Sequence, residues 1–186
     1  MHLILELRSE KKIVLPVHYN HILQGFIYNT INSELADFLH REGYGEKRKF
    51  KLFCFSRIFG DFQIDKKSNK IIYNKKISFQ ISSPYISFCE SFANGVFQKE
   101  VRLGDNDLTI TSIKIDKQEV TGDSIVVDTL SPVVVCSTYI KEDNKKYTVY
   151  FEPESNEFKR IVTENLKKKY ISTYKEKALD GDIAIE

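Results

Sequence analysis

Residues 3–8, LILELR, alternate apolar and polar side chains, the period-two pattern of a half-buried strand, and the polar run SEKK closes it. Pro16 and a polar turn then open a helix over about residues 18–32. Tyr19, Ile22, Leu23, Phe26 and Ile27 fall within one arc of it at roughly 100° per residue. Ser33 reads as the cap of a second short helix, ELADFLHR, which stops at Gly43. Residues 49–60, KFKLFCFSRIFG, read as a strand buried on both faces. DFQIDKKSNKIIY predicts a hairpin with KKSN at its tip, and KISFQISS (76–83) extends the sheet. Pro84 suits the first turn of a further helix, in which Tyr85, Cys89, Phe92, Ala93 and Val96 recur at helical spacing. DLTITSIKI (107–115) is another strand.

The order is β-α-β-β-α-β with the first helix split in two. That is the ferredoxin-like plan of the α+β class, an antiparallel sheet with two helices on one face, expected over residues 1–116. After the link DKQEVTGD the order starts again. SIVVDTLSPVVVCSTYI and KKYTVYF are strand-like, and residues 155–174 form an amphipathic helix with a seam of Phe158, Ile161, Val162, Leu166 and Ile171. DIAIE starts one more strand. The remaining length is short for a whole second unit, so residues 124–186 are expected to form a partial second ferredoxin-like domain. Its open sheet edge predicts self-association as a homodimer.

Composition changes this picture in one place. The whole chain carries a formal charge of only +2, yet residues 41–76 hold eleven Lys or Arg against four Asp or Glu, +7 for the segment and −5 for the rest. A concentrated basic region in a near-neutral protein points to an anionic partner, nucleic acid among them. The plainer reading is lysines that keep strand edges from pairing. Cys54, Cys89 and Cys136 stand far apart without metal-site spacing, which suits buried thiols in a reducing compartment. No apolar run approaches the roughly 18 residues of a membrane span, and the N-terminus lacks the pattern of a signal peptide. A soluble, cytoplasmic protein is expected.

Tyr28 lies almost opposite the apolar arc of the first helix, on a stripe with His21, Gly25 and Asn32. Glycine costs a helix interior roughly 0.8–1 kcal/mol relative to alanine, and here it clears a side chain from between His21 and Tyr28. Either a ligand or another part of the protein could approach there. His40 falls in the last turn of the second helix, where a helix C-terminus favours its charged form. A histidine is also an ordinary residue at that place. The run EKRKFK leads from it to Lys51. A Tyr, a His and a Lys suffice in principle to cleave RNA without metal. The 2′-hydroxyl must lose a proton, the 5′-oxygen must gain one, and the phosphorane between them needs a cation. Phe53 and Phe55 either stack on bases or, as is usual for a Phe-rich strand, form core. His18 and His21 lack a third ligand of matching spacing, so neither a metal nor another cofactor is expected.

LPVHYNHILQGFIYNTI, followed by LADFLHREGY and RKFKLFCFS, resembles the N-terminal half of the CRISPR-associated repeat-processing endoribonucleases, the Cas6 family of the RAMP superfamily. TLSPVVV and EFKRIVTENLKKKY are similar to that family's central region. The resemblance implies two tandem ferredoxin-like folds that bind CRISPR repeat RNA. It also implies metal-independent cutting of the precursor transcript within each repeat, leaving a 5′-hydroxyl and a 2′,3′-cyclic phosphate. By the family's pattern Tyr28, His40 and Lys51 are the catalytic residues, with Lys49 in reserve. Lys47, Arg48, Lys49, Arg57 and His21 are the expected RNA-binding residues. The glycine-rich stretch that ends the family's second domain has no counterpart in this sequence. An RNA-binding subunit without catalysis is therefore the alternative, and a CRISPR effector complex is a further expected partner.

Overall fold

The computed structural model describes residues 1–46, 48–117, 120–129, 132–141, 143–178 and 181. The chain divides into two compact units, one of residues 1–43 and 51–121 and the other of residues 44–50 and 122–186.

The first unit is built on a sheet whose central strand is β1 (His2–Arg8), with the alternation that LILELR predicts: Leu3, Leu5 and Leu7 are buried. β1 pairs antiparallel with β6 (Lys76–Ser82) and with β8 (Asn106–Asp116), the latter with a register shift between Glu6 and Leu7. With β3 (Cys54–Phe55) and β7 (Val101–Leu103) the order is β3-β6-β1-β8-β7. Leaving aside the edge strand β7, this is the ferredoxin-like order. Helices α1 (Asn20–Thr30), α2 (Ser33–Arg41) and α3 (Ile86–Gln98) complete it. Phe26 of α1 packs edge-on against Phe79 of β6 at 6.1 Å and Phe92 of α3 at 5.8 Å, joining two helices and the sheet in one core.

Four details differ from the sequence reading. Residues 49–60 are not one buried strand: only Cys54 and Phe55 pair as β3, and Cys54 is exposed. Leu52 takes a left-handed conformation, φ 50°, which interrupts the extended chain. The hairpin of β4 (Phe62–Asp65) and β5 (Lys70–Tyr73) forms as expected, but it joins β2 (Ile13–Pro16) in a separate sheet of order β2-β5-β4, which β6 does not extend. The cap of α2 is Asn32, whose side chain accepts the Leu35 N–H, and not Ser33. Pro84 precedes the capping residue Tyr85, so it lies outside the first turn of α3.

In the second unit, β9 (Cys136–Ile140) and β10 (Lys146–Tyr150) form an antiparallel hairpin with Tyr139 and Tyr147 stacked at 5.7 Å. Of the long strand-like run before it, described residues 124–129 and 132–135 are not strand, and Leu130 and Ser131 lie outside the described residues. Helix α4 (Asn156–Tyr174) is capped by Ser155 and buries Phe158 and Ser172, while Leu166 and Ile171 of its expected seam are exposed. Gly45, at φ 95°, sits against α4: an added Cβ would stand 2.8 Å from Ser172 Oγ and 2.5 Å from the Arg48 carbonyl. Residues 182–186, where a further strand is expected to start, lie outside the described residues. Among the described residues, no helix is long and apolar enough to cross a membrane.

Candidate active site

The first unit brings the ends of two consecutive helices together. Tyr28 belongs to the last turn of α1 and His40 to the last turn of α2. Their rings lie edge to face, with centroids 6.4 Å apart. Tyr28 is half-buried and its phenol is pushed up by that burial, because desolvation disfavours the phenolate. His40 is exposed.

Lys51 reaches the same place from the chain that leaves α2. Its ammonium donates to the Leu39 carbonyl and, at 3.1 Å, to the His40 carbonyl. These are two of the terminal carbonyls that a helix leaves without an internal partner, and a cation there also complements the helix dipole. Lys51 is therefore joined to His40 through the histidine's backbone, with two of its three N–H groups engaged.

The chain makes this contact by turning at Leu52. A leucine in the left-handed region is strained by roughly 1–2 kcal/mol and needs support. The buried Ser83 hydroxyl supplies it by donating to the Leu52 carbonyl at 2.9 Å. Ser83 is itself tied to the chain start, its N–H donating to the Met1 carbonyl and its carbonyl accepting from the Met1 ammonium. Beyond the turn, Phe53 packs edge-on against Tyr28 at 5.8 Å and stacks on buried Phe88 of α3 at 4.9 Å. Of the two roles open to Phe53, base stacking or core, it takes a packing role: it backs Tyr28 from the protein side.

Of the other expected residues in the first unit, no contact joins His21 or Arg57 to this cluster among the described residues. His21 is exposed, two turns before Tyr28 on α1, and an added Cβ at Gly25 would meet nothing within 4 Å. Arg57 is exposed with its guanidinium over the Phe59 ring at 5.4 Å. In the second unit, Arg48 lies over Phe50 at 5.3 Å and Lys49 is exposed. Lys47 lies outside the described residues. Sequence reasoning missed Ser83 and the backing role of Phe53. The first leaves no local signal, because its partner is 31 positions away.

Comparison with known proteins gives one result from residue 14 onward. Residues 14–114 match the family description "CRISPR-associated protein Cas6, N-terminal", and residues 115–186 match "CRISPR associated protein Cas6, C-terminal". The "CRISPR-associated endoribonuclease Cas6 1" of Methanocaldococcus jannaschii is 29% identical over 178 residues, which span 95% of this chain and 68% of the relative. The "CRISPR-associated endoribonuclease Cas6" of Pyrococcus furiosus is 31% identical over 174 residues, 91% of this chain and 62% of the relative. A solved structure described as "CRISPR associated protein Cas6" superposes with a TM-score of 0.67 at 29% identity, covering 96% of this chain and 73% of that one. The chain thus spans about two thirds of the length of the curated relatives it matches.

Proposed function

This chain belongs to the CRISPR-associated Cas6 family, and on that premise we propose that it is an endoribonuclease that cuts CRISPR precursor transcripts within their repeats. The names of the Methanocaldococcus jannaschii and Pyrococcus furiosus relatives support the activity. The observation that carries the chemistry is the shared neighbourhood of a phenol, an imidazole and an ammonium at the ends of α1 and α2.

In this reading the reaction is an attack of the 2′-hydroxyl on the adjacent phosphate, with no metal required. It leaves a 2′,3′-cyclic phosphate and a 5′-hydroxyl. Like any phenol, Tyr28 carries its proton at neutral pH, and burial pushes it further that way; in this reading Tyr28 gives the proton to the 5′-oxygen and His40 accepts the one from the 2′-hydroxyl. The third N–H of Lys51 is directed to the crowded phosphorane, whose charge exceeds that of the ground-state phosphate. Lys47, Arg48, Lys49, Arg57 and His21 hold the RNA by its phosphates, in keeping with the +7 segment. We assign the catalytic unit to residues 1–116 and a second ferredoxin-like part to residues 124–186. Pairing of two copies and delivery of the cut RNA to an effector complex belong to the same reading. Cleavage of repeat RNA in excess chelator, with the ends analysed, is the test. The expected products carry the cyclic phosphate and the 5′-hydroxyl; 3′-hydroxyl and 5′-phosphate ends, or a reaction stopped by chelator, overturn the mechanism.

A further inference from the structure

The distance between Tyr28 and His40 depends on the bend between the two helices that carry them. α1 ends at Thr30, Ile31 follows in an extended conformation, and Asn32 caps α2. His40 lies eight residues beyond Asn32, roughly 12 Å along the helix, so a rotation of only ten degrees or so at the bend moves it by about 2 Å. Contacts from outside the two helices can hold that angle.

One stripe of α3 does. Ser91, Gly95 and Lys99 follow one another at spacings of four, on one side of the helix and its cap. The Ser91 hydroxyl accepts the Asn32 N–H at 2.9 Å, which holds the first residue of α2's cap. At Gly95 the bend comes so close that an added Cβ would stand 1.9 Å from the Thr30 carbonyl oxygen, so only glycine allows this approach. The Lys99 ammonium donates to three consecutive carbonyls, Asn29 at 2.6 Å, Thr30 at 3.3 Å and Ile31 at 3.3 Å. Three donors meet three carbonyls that the end of α1 leaves without partners, and the positive charge sits where the helix dipole is negative.

We propose that Lys99, with Ser91 and Gly95, sets the angle between α1 and α2 and so holds Tyr28 and His40 at reacting distance. Lys99 is a positioning residue: its donors are engaged by the bend. It does for α1 what Lys51 does for α2. The two helices that carry the proton-transfer groups are thus each closed by a lysine from outside the helix, Lys51 from the chain that follows α2 and Lys99 from the end of α3, and the bend between them is held against α3 at Gly95. The rate consequence rests on the endoribonuclease reading above, whereas the geometric one does not.

Lys99→Met keeps the aliphatic stem on an exposed side chain and removes the donors, so the fold is expected to persist by circular dichroism. The nuclear Overhauser contact between the Tyr28 and His40 rings is expected to be lost in Lys99→Met and kept in Lys99→Arg, whose guanidinium also brings several donors. With repeat RNA, Lys99→Met lowers kcat about tenfold to a hundredfold while KM stays near the wild-type value, the signature of misplaced reacting groups, and Lys99→Arg restores most of the rate. Ring contacts unchanged in Lys99→Met, a loss in Lys99→Arg as large as in Lys99→Met, or an unchanged kcat where the wild type cleaves would each overturn the proposal. A wild type that leaves the RNA whole refutes the endoribonuclease reading instead, and the ring contacts still decide the role of Lys99.

Discussion

The two units of this chain use apolar residues in opposite ways. In the first, β1 and β6 bury every second side chain, and Phe26, Phe79 and Phe92 close a core shared by two helices and a sheet. In the second, α4 buries Phe158 and Ser172 while Leu166, Ile171 and Tyr174 stay exposed, and Tyr139, Tyr147 and Tyr150 of the hairpin are exposed as well. The difference bears on function. Holding two reacting side chains to within an ångström requires rotamers locked by packing, and the first unit has that packing around Tyr28. The second offers surface, suited to contacts that tolerate movement.

The sharpest break of that comparison is His40→Ala. A drop in single-turnover cleavage of about 10²–10⁴-fold, with repeat binding retained, is expected if the first unit carries the chemistry. A wild-type rate would move the chemistry elsewhere. Tyr28→Phe comes next, with an expected loss of about 10²-fold on normal RNA. Its assignment as acid has a separate check. A substrate with sulfur in place of the bridging 5′-oxygen has a leaving group that needs little protonation, so the Tyr28→Phe defect should largely vanish there while the His40→Ala defect remains. The opposite pattern exchanges the two roles. On stability, Phe79→Ala in the first unit should cost about 3–5 kcal/mol in denaturant unfolding. Leu166→Ser in the second should change it by less than about 0.5 kcal/mol, the range for surface positions. Equal costs would show that both units are packed alike.

What could be read from the sequence follows the range of the interactions involved. LILELR and KISFQIS announce their alternation locally, and the structure pairs them across seven positions from His2↔Ser82 to Arg8↔Lys76. The order of helices and strands, hence the ferredoxin-like plan, follows from such local periods. Residues 49–60 misled because phenylalanine was taken to mean strand. Phe53 is instead packed by stacking on Phe88 from a chain that turns at Leu52, and nothing in the period of the segment announces a left-handed leucine. The strands β2 and β7 escaped notice because each is short, four and three residues. In the candidate site, the odd placement of Tyr28 on its helix, the place of His40 in the last turn of the next and the basic run that leads to Lys51 were visible, and the family pattern joined the three. The two bonds from Lys51 to the end of α2 and the three from Lys99 to the end of α1 were not visible, since charge patterning marks a lysine without naming its partner. Gly95, in the interior of an amphipathic helix, was the one local sign of the close approach.

The account turns on the 2′-hydroxyl as the nucleophile and on Tyr28 and His40 moving its proton and the leaving group's. A repeat RNA with a single 2′-deoxy residue on the 5′ side of the scissile phosphate tests this most directly, against the same RNA unmodified. The unmodified strand should be cut while the deoxy strand binds with similar affinity and stays intact. Cutting of the deoxy strand at the same phosphate would contradict the mechanism, because the attacking oxygen would then have to come from water.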